Sequence, residues 1–375
     1  MTNPVAFVDL KAQYRQLKPE IDARIQKVLD HGNFILGPEI QELESALAAF
    51  CGAAHAVSCS SGTDALQMLL MAQGIGPGDA VFMPAFTFTA TAEVVLLLGA
   101  TPVFVDVDDR DFNIDCAGLE QRVEAIRREG RLRPRAVIAV DLFGLPADYT
   151  QLNAIAARHE LYLISDAAQS FGGERGNQRV GTMAPGTATS FFPAKPLGCY
   201  GDGGAIFVQD AATADTLRSI RAHGKGDDKY DIVRVGINGR LDTLQAAILL
   251  AKLPSFPAEL AAREALARRY DEMLGDVVIA PKRPPNSKSA WAQYSILTDR
   301  RDELAARLKA DGIPSAVYYP RPMHLQTAYR QFGEGPGSLP VSEKLSDTIL
   351  SLPMHPFMDD ATATRIGDAV RRALT

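Results

Sequence analysis

The sequence predicts an α/β protein in which a large domain with a mostly parallel seven-stranded sheet precedes a smaller α+β domain at the C-terminus. The main observation is a series of short β-rich runs, most of them separated by helical patterns. Parallel strands need such crossover connections, so this alternation favours a parallel sheet with helices on both faces. The runs cover residues 56–59, 80–83, 102–107, 136–142, 161–166, 188–192 and 205–208.

The helical patterns and Pro254 indicate where the two domains divide. Patterns over 64–72 and 92–98 fit between strands, and Pro254 separates a helical pattern over 241–253 from a longer one over 257–274. We therefore expect a large domain over 1–253, including an N-terminal arm, and a small domain over 254–375. The small domain should contain strand 291–297, helix 302–311, strand 315–319, helix 342–349 and helix 361–374, the last capped by Asp360.

The amino-acid composition and charge exclude several classes of function. The 375 residues are 46% apolar and 22% charged, which is typical of a folded globular protein, and 39 basic against 45 acidic residues give a net charge of −6. Without a basic surplus, we expect no nucleic-acid partner. No export signal or apolar run of about 20 residues is seen. We expect a cytoplasmic protein with no membrane partner, reduced cysteines and no metal site, since no CxxC pair occurs.

Polar residues follow three of the predicted strands, at the edge of the sheet where ligands of open α/β folds bind. The first group is Ser60-Ser61-Gly62-Thr63-Asp64, which lies between a strand and a helix. Backbone N–H groups at a helix start, together with the hydroxyl groups, favour an anion. A plain helix cap formed by Ser61 or Thr63 remains the alternative. No P-loop or strand-linked GxGxxG motif is present.

The other two groups carry charge. Asp166 closes an apolar strand, where a carboxylate is costly unless it is paired, although a helix cap is the alternative. Lys195 follows a strand in a turn with several Pro and Gly residues, and a surface lysine is its alternative. Ser190 adds a hydroxyl to the same strand end. These three groups at one sheet edge match the needs of pyridoxal phosphate. The anion cradle would hold its phosphate, the carboxylate would pair with its pyridine nitrogen, and the lysine would form a Schiff base with it.

At these residues the sequence resembles the DegT/DnrJ/EryC1/StrS family of sugar aminotransferases, which are fold type I pyridoxal-phosphate enzymes acting on nucleotide-linked keto sugars. The resemblance extends over nearly the whole chain, and the order of its motifs makes it specific. The motifs are 7–10 (FVDL), 32–37 (GNFILG), 61–66 (SGTDAL), 84–88 (PAFTF), Glu93, 166–170 (DAAQS), 191–198 (FFPAKPLG), 238–242 (NGRLD) and Tyr319-Pro320.

The resemblance implies roles for the cofactor-site residues. Lys195 would form the Schiff base, Asp166 would contact the pyridine nitrogen, and Gln169 would lie near the phenolic oxygen. Phe88 would stack on the ring, with core packing as its alternative. The phosphate would be held by Gly62, Thr63 and Ser190, and by Asn238 from the other subunit of a homodimer with shared active sites.

The resemblance also implies a reaction. A lysine at position 195, where dehydrating members have His, favours transamination, and 191–204 looks like the branch that aminates carbon 3. We expect amino transfer from L-glutamate, giving 2-oxoglutarate, to UDP-2-acetamido-2-deoxy-3-keto-glucuronate for O-antigen or another surface polysaccharide. Arg240, Tyr318, Tyr319 and His324 are the candidate sugar contacts, although Tyr318 stands where His is expected in uronate enzymes.

Other substrates and one other class stay open. The alternatives are UDP-3-keto-GlcNAc, a dTDP-3-keto-6-deoxyhexose and a 4-keto nucleotide sugar. A non-catalytic regulatory protein that binds pyridoxal phosphate would keep Asp166 and the phosphate cradle but would not need Lys195. The presence of this lysine therefore favours the enzyme.

Overall fold

Helices and strands alternate along most of the chain. The structure is a computed structural model and describes residues 5–228 and 230–375. The helices are α1 (Leu10–His31), α2 (Pro38–Cys51), α3 (Gly62–Ala72), α4 (Ala90–Leu97), α5 (Cys116–Glu129), α6 (Tyr149–His159), α7 (Ala211–Arg221), α8 (Thr243–Lys252), α9 (Phe256–Leu274), α10 (Arg301–Ala310), α11 (Pro340–Thr348) and α12 (Asp360–Leu374).

The strands are β1 (His55–Cys59), β2 (Asp79–Pro84), β3 (Thr101–Val105), β4 (Arg133–Val140), β5 (Tyr162–Asp166), β6 (Glu174–Arg175), β7 (Gln178–Arg179), β8 (Gly186–Ser190), β9 (Gly204–Val208), β10 (Ser287–Lys288), β11 (Tyr294–Leu297) and β12 (Ile349–Leu352). Short 3₁₀ turns occupy Leu142–Gly144, Leu253–Ser255, Met323–Leu325 and Arg330–Phe332.

The seven predicted runs form one sheet, in the order β1-β9-β8-β5-β4-β2-β3. Every neighbouring pair is parallel except those involving β9, which runs antiparallel to β1 and β8. The prediction of a mostly parallel seven-stranded sheet is confirmed. The parallel strands point their carboxyl ends toward the same edge, and polar residues that follow them meet there.

Both faces of the sheet are buried, which explains why its strands read as continuous apolar runs. Side chains alternate along β2, because a strand has a period of two residues. Val81 and Met83 join a core cluster with α3, α4 and α7, whereas Ala80 and Phe82 join another with α5 and α6. Helices therefore hold the sheet from both sides and leave the ends of its strands for a site.

The C-terminal part has its own core. Strands β11 and β12 pair antiparallel and pack with α9, α10 and α12. The predicted boundary at 253/254 falls in the 3₁₀ turn between α8 and α9 and stays a prediction. Helix α9 spans two cores, since Phe256 packs beside Phe171 in a cluster with α2 and α8, whereas Leu266 and Leu274 belong to the C-terminal cluster.

Several predicted elements differ from the structure. The predicted strand over 315–319 is wrong, because only Ala316 makes a bridge, to Ser351, before the chain leaves the sheet toward the site. Strand β12 was not predicted, nor were α1 and α2. The cap of α12 is Asp359, whose carboxylate accepts from the Thr362 N–H at 2.7 Å, and not Asp360.

Across the described residues, none of the helices combines the length and apolar character needed to cross a membrane.

Candidate active site

A cavity of about 470 Å³ opens at the edge of the sheet where β5 and β8 end. It gathers nine of the residues predicted for the site, and they come from α3, β5, β8 and the loops that follow β2, β5, β8 and α10. These nine are Gly62, Thr63, Phe88, Asp166, Gln169, Ser190, Lys195, Tyr318 and Tyr319. Segments up to 257 residues apart in sequence, from Gly62 to Tyr319, therefore converge on one space.

One end of the cavity is a tight contact between the start of α3 and the end of β8. Ser61 caps α3 by accepting from the Asp64 N–H at 3.0 Å, as one alternative from the sequence proposed. Helix geometry leaves the N–H groups of Gly62 and Thr63 without a carbonyl four residues earlier. A Cβ on Gly62 would lie 2.7 Å from the Ser190 Cβ. Only glycine allows α3 to come this close to β8. The contact places the N–H groups of α3 beside the Ser190 hydroxyl, and such donors favour an anion.

Asp166 forms the floor of the cavity at the end of β5, with only 6% of its surface exposed. Thr91 Oγ1 donates to its Oδ2 at 3.0 Å, and the Ala168 N–H donates to its Oδ1 at 3.2 Å. Burial raises the pKa of Asp166, and these two hydrogen bonds and the charge of Lys195 oppose the rise. The chain turns after Asp166 without entering a helix, so its alternative as a helix cap is wrong.

Lys195 lies opposite Asp166 in the loop after β8 and is half-buried, unlike the surface lysine of the alternative. Burial lowers the pKa of Lys195, while the charge of Asp166 acts in the other direction. The loop is tightly folded, because a Cβ on Gly198 would lie 2.5 Å from the Pro193 carbonyl oxygen. Buried Lys252 donates to the Gly198 carbonyl at 2.6 Å and fastens this loop to α8.

Aromatic and amide groups form the walls between the lysine and the floor. Phe88 is 55% exposed and lies beside Tyr319 with ring centroids 6.3 Å apart. This exposure contradicts the alternative that Phe88 packs in the core. Gln169 is fixed on both ends, since its Oε1 accepts from the Phe143 N–H at 2.6 Å and its Nε2 donates to the Tyr319 hydroxyl at 3.3 Å.

Three predicted residues lie away from this cavity. Asn238 is exposed, although the neighbouring Gly239 carbonyl accepts from the Ser60 N–H at 3.0 Å, and Arg240 is half-buried. His324 is fully buried, with its Nε2 3.1 Å from Glu343 Oε1. The expectation that His324 contacts the sugar is corrected, because the interior encloses its side chain.

The sequence analysis missed several residues that shape the site. Thr87, Phe192, Asp202 and Gln293 line the cavity, and Thr91 supports its floor. Asp202 lies within a glycine-rich segment, which was a weak signal that it belongs to the site. Thr91 lies inside α4, and no sequence pattern there indicates a contact with Asp166.

A second buried carboxylate, Asp141, lies behind the floor and was also missed. It follows β4, and its N–H donates to the Asp166 carbonyl at 3.1 Å. The Ser170 and Tyr149 hydroxyls each donate to it at 2.7 Å. Burial raises the pKa of Asp141 to about 6. These bonds tie the turn that carries Asp166 and Gln169 to the next strand end.

The donor set fits pyridoxal phosphate. The close approach of Gly62 to Ser190 brings the N–H groups at the start of α3 beside the Ser190 hydroxyl, and these donors suit a phosphate. Asp166 provides a buried carboxylate for a protonated ring nitrogen, and Lys195 provides an amine whose pKa burial lowers. Phe88 offers an exposed aromatic face for a ring to stack on.

Comparison with known proteins identifies the family. The model of the DegT/DnrJ/EryC1/StrS aminotransferase family matches residues 15–371. The chain belongs to this family. It is a pyridoxal-phosphate-dependent sugar aminotransferase of the fold type I architecture, and pyridoxal 5′-phosphate is its cofactor.

Three relatives illustrate the similarity of this aminotransferase to known proteins. It is 48% identical to UDP-2-acetamido-2-deoxy-3-oxo-D-glucuronate aminotransferase of Pseudomonas aeruginosa, over 96% of this chain and 97% of that protein. A crystal structure of a family aminotransferase from Brucella abortus has 54% identity and a TM-score of 0.97, covering 99% of each chain. NtdA from Bacillus subtilis with bound cofactor PMP has 28% identity and a TM-score of 0.90, covering 100% of this chain and 86% of that one.

The bond from Thr91 predicts a pH effect in the aminotransferase. It favours the charged form of Asp166, so Thr91→Val should raise the pKa of this carboxylate. Activity that needs the carboxylate should then be lost at a higher pH as the solution is acidified. We expect the acid limb of the pH–rate profile to move up by as much as about one pH unit, since a hydrogen bond to a charged group contributes roughly 1.5 kcal/mol.

The visible absorbance of the holoenzyme as a function of pH gives a second reading of the same shift. Thr187→Val is the matched control. Thr187, in β8, is fully buried like Thr91, but its hydroxyl has no partner among the described residues. An acid limb that moves equally in both variants, or in neither, would refute the role of Thr91.

Proposed function

We propose that this aminotransferase moves the amino group of L-glutamate to the 3-keto group of UDP-2-acetamido-2-deoxy-3-keto-glucuronate, with 2-oxoglutarate as co-product, in the synthesis of O-antigen or another surface polysaccharide. The observation that carries the proposal is one cavity in which Lys195, Asp166 and the Gly62–Ser190 contact face each other. Similarity along nearly the whole chain to an aminotransferase of that name supports this choice of sugar.

Lys195 acts as the proton carrier in this proposal. Bound pyridoxal phosphate supplies the electron sink that stabilises a carbanion at the donor carbon. Burial lowers the pKa of Lys195, so its amine loses its proton more readily than that of an exposed lysine, and the neutral amine can accept a proton. Its Nζ takes the proton from the α carbon of glutamate and delivers it to C4′ of the cofactor. In the second half of the reaction the same amine returns a proton to C3 of the sugar.

Asp166 would keep a positive charge on the ring nitrogen by accepting its N–H. Gly62, Thr63 and Ser190 would bind the phosphate, Phe88 would stack on the ring, and Gln169 would lie near the phenolic oxygen. Since Gln169 is fixed by the Phe143 N–H and by Tyr319, its amide is already oriented before a ligand arrives. These groups position the cofactor, so that glutamate and the sugar can use one site in turn.

The protein is proposed to act as a homodimer. Two exposed apolar segments flank the region of Asn238: residues 34–36, where Phe34 is 47% exposed, and residues 232–235, where Val235 is 83% exposed. The first segment is held against the chain that follows Asn238, since the Thr243 N–H at the start of α8 donates to the Phe34 carbonyl at 3.0 Å. Exposed apolar patches of this kind are typical of interfaces.

Such an interface would explain the positions of Asn238 and Arg240, which lie outside the active-site cavity of their own subunit. An exposed Asn238 beside a two-fold axis can reach the phosphate of the partner subunit's site. Arg240 is two residues further on and would enter the same site, where with Tyr318 and Tyr319 it would bind the sugar, including its carboxylate. We place the enzyme in the cytoplasm, where its four free cysteines would stay reduced.

A substrate panel tests the reaction. Purified holoenzyme with L-glutamate is offered the 3-keto forms of UDP-2-acetamido-2-deoxy-glucuronate and UDP-GlcNAc, dTDP-3-keto-6-deoxyhexose, and a 4-keto nucleotide sugar. We expect the highest kcat/KM for the UDP-uronate, with 2-oxoglutarate and the amino sugar formed in equal amounts by mass spectrometry. A higher kcat/KM for any other sugar would reject the proposed substrate.

Lys195→Ala should lower turnover by on the order of 10³-fold or more while the chain keeps its fold, because proton transfer loses its carrier. Lys309→Ala is the matched control, since Lys309 is an exposed lysine on α10. Circular dichroism and the rate of 2-oxoglutarate release compare the two variants. Substantial steady-state turnover by Lys195→Ala would contradict the role of the lysine.

A mixed dimer tests the shared site. Lys195→Ala and Asn238→Ala chains are co-expressed with different tags and the heterodimer is isolated. If Asn238 acts across the interface, one site carries both defects and the other carries none. The heterodimer should then recover up to half of the wild-type activity. Activity no higher than the average of the two parent variants would show that Asn238 does not act in the partner's site.

A further inference from the structure

A second pocket of about 490 Å³ adjoins the active-site cavity. The two spaces share Thr87, Phe88 and Tyr319 in their linings, so they lie side by side at these side chains. The opposite wall of the second pocket comes from residues 320–329, which no step of the proposed reaction uses. A ligand that extends out of the active site over Phe88 therefore enters this pocket.

The wall over 320–329 is fixed to the large sheet. The Met323 N–H donates to the Ala85 carbonyl at 2.7 Å, next to the end of β2. Further along, the hydroxyls of Thr89 and Tyr329 are hydrogen-bonded at 2.5 Å. Within the wall, Gln326 Nε2 donates to the Arg321 carbonyl at 3.1 Å. These bonds fix the position of this wall.

The charges of the two spaces differ. In the active-site cavity Lys195 faces Asp166 and Asp202. The second pocket contains Arg321 as its charged side chain, and within the described part of the chain no ion pair joins its guanidinium to an acid. An exposed guanidinium with free donors suits two oxygens of one anion, because its planar fork can bind both at once.

We propose that this second pocket binds the diphosphate of the nucleotide sugar and that Arg321 is the cation that recognises it. The inference rests on the proposed function for the type of substrate. The cavity of about 470 Å³ must hold both the cofactor and the sugar, while pockets of roughly 300–1,000 Å³ serve a single drug-sized ligand. The nucleotide must then lie outside it, and the adjoining pocket offers the Arg321 guanidinium for its negative charges.

Binding to the holoenzyme tests the assignment without turnover. Calorimetry with UDP, dTDP, UMP and uridine compares the wild type with Arg321→Gln and Arg321→Lys. We expect Arg321→Gln to weaken UDP and dTDP roughly tenfold, to weaken UMP less and to leave uridine unchanged. Arg321→Lys should recover part of the loss. Arg330→Gln is the matched control, since Arg330 is an exposed arginine nine positions on that does not line the pocket.

Kinetics of the two half-reactions show which substrate Arg321 binds. Arg321→Gln should raise the KM for the nucleotide sugar with little change in kcat, and the half-reaction with L-glutamate should keep its rate. A slower glutamate half-reaction would place Arg321 at the donor's carboxylate and overturn the proposal. Equal affinity of the wild type and Arg321→Gln for UDP would also overturn it.

Two probes separate the diphosphate from a sugar carboxylate. UDP-GlcNAc and the corresponding UDP-glucuronate should lose affinity by the same factor in Arg321→Gln. A loss confined to the uronate would assign Arg321 to the carboxylate and reject the diphosphate. If the panel instead identifies a dTDP sugar, the proposed substrate fails, whereas the dTDP arm still tests Arg321.

Discussion

The interaction on which the site depends is the burial of the Asp166 carboxylate at the end of a central strand. A buried charge of this kind is destabilising by several kcal/mol unless hydrogen bonds and an opposite charge compensate it. Thr91 and the Ala168 N–H supply the hydrogen bonds, and Lys195 across the cavity supplies the charge. The same groups therefore offset the cost of burying this carboxylate and set its pKa. The stability of the fold and the chemistry of the site depend on the same contacts.

Two further buried ionisable groups hold the loops that present these side chains. Burial raises the pKa of Asp141 to about 6 and lowers that of Lys252 to about 8. Asp141 ties the turn after β5 to the end of β4, and Lys252 ties the loop of Lys195 to α8. Lys252 also lies over the Tyr200 ring at 4.0 Å. Hydrogen bonds from charged groups are stronger than neutral ones, which suits loops that must place an amine and a carboxylate across a narrow cavity.

Sequence patterns predicted the sheet and most of the cavity for a physical reason. Strands buried on both faces give apolar runs. Parallel strands bring the residues after their carboxyl ends to one edge, which is why the sequence predicts Asp166, Ser190 and Lys195 close together. The pattern over 315–319 failed, because an apolar run with Val and Tyr is typical of a strand whether it pairs or not. Here Tyr318 and Tyr319 leave the sheet and line the cavity instead.

The sequence by itself determined the α/β class, the order of the strands along the chain and the chemical types at the strand ends, because these depend on local periodicity and composition. Tertiary structure decided which distant groups touch. Thr91 bonds to Asp166 from a helix 75 residues earlier, and the buried His324 contacts Glu343, 19 residues later. Neither contact has a local signal, since the partners meet only when the helices and loops pack on the sheet, and packing depends on the whole chain at once.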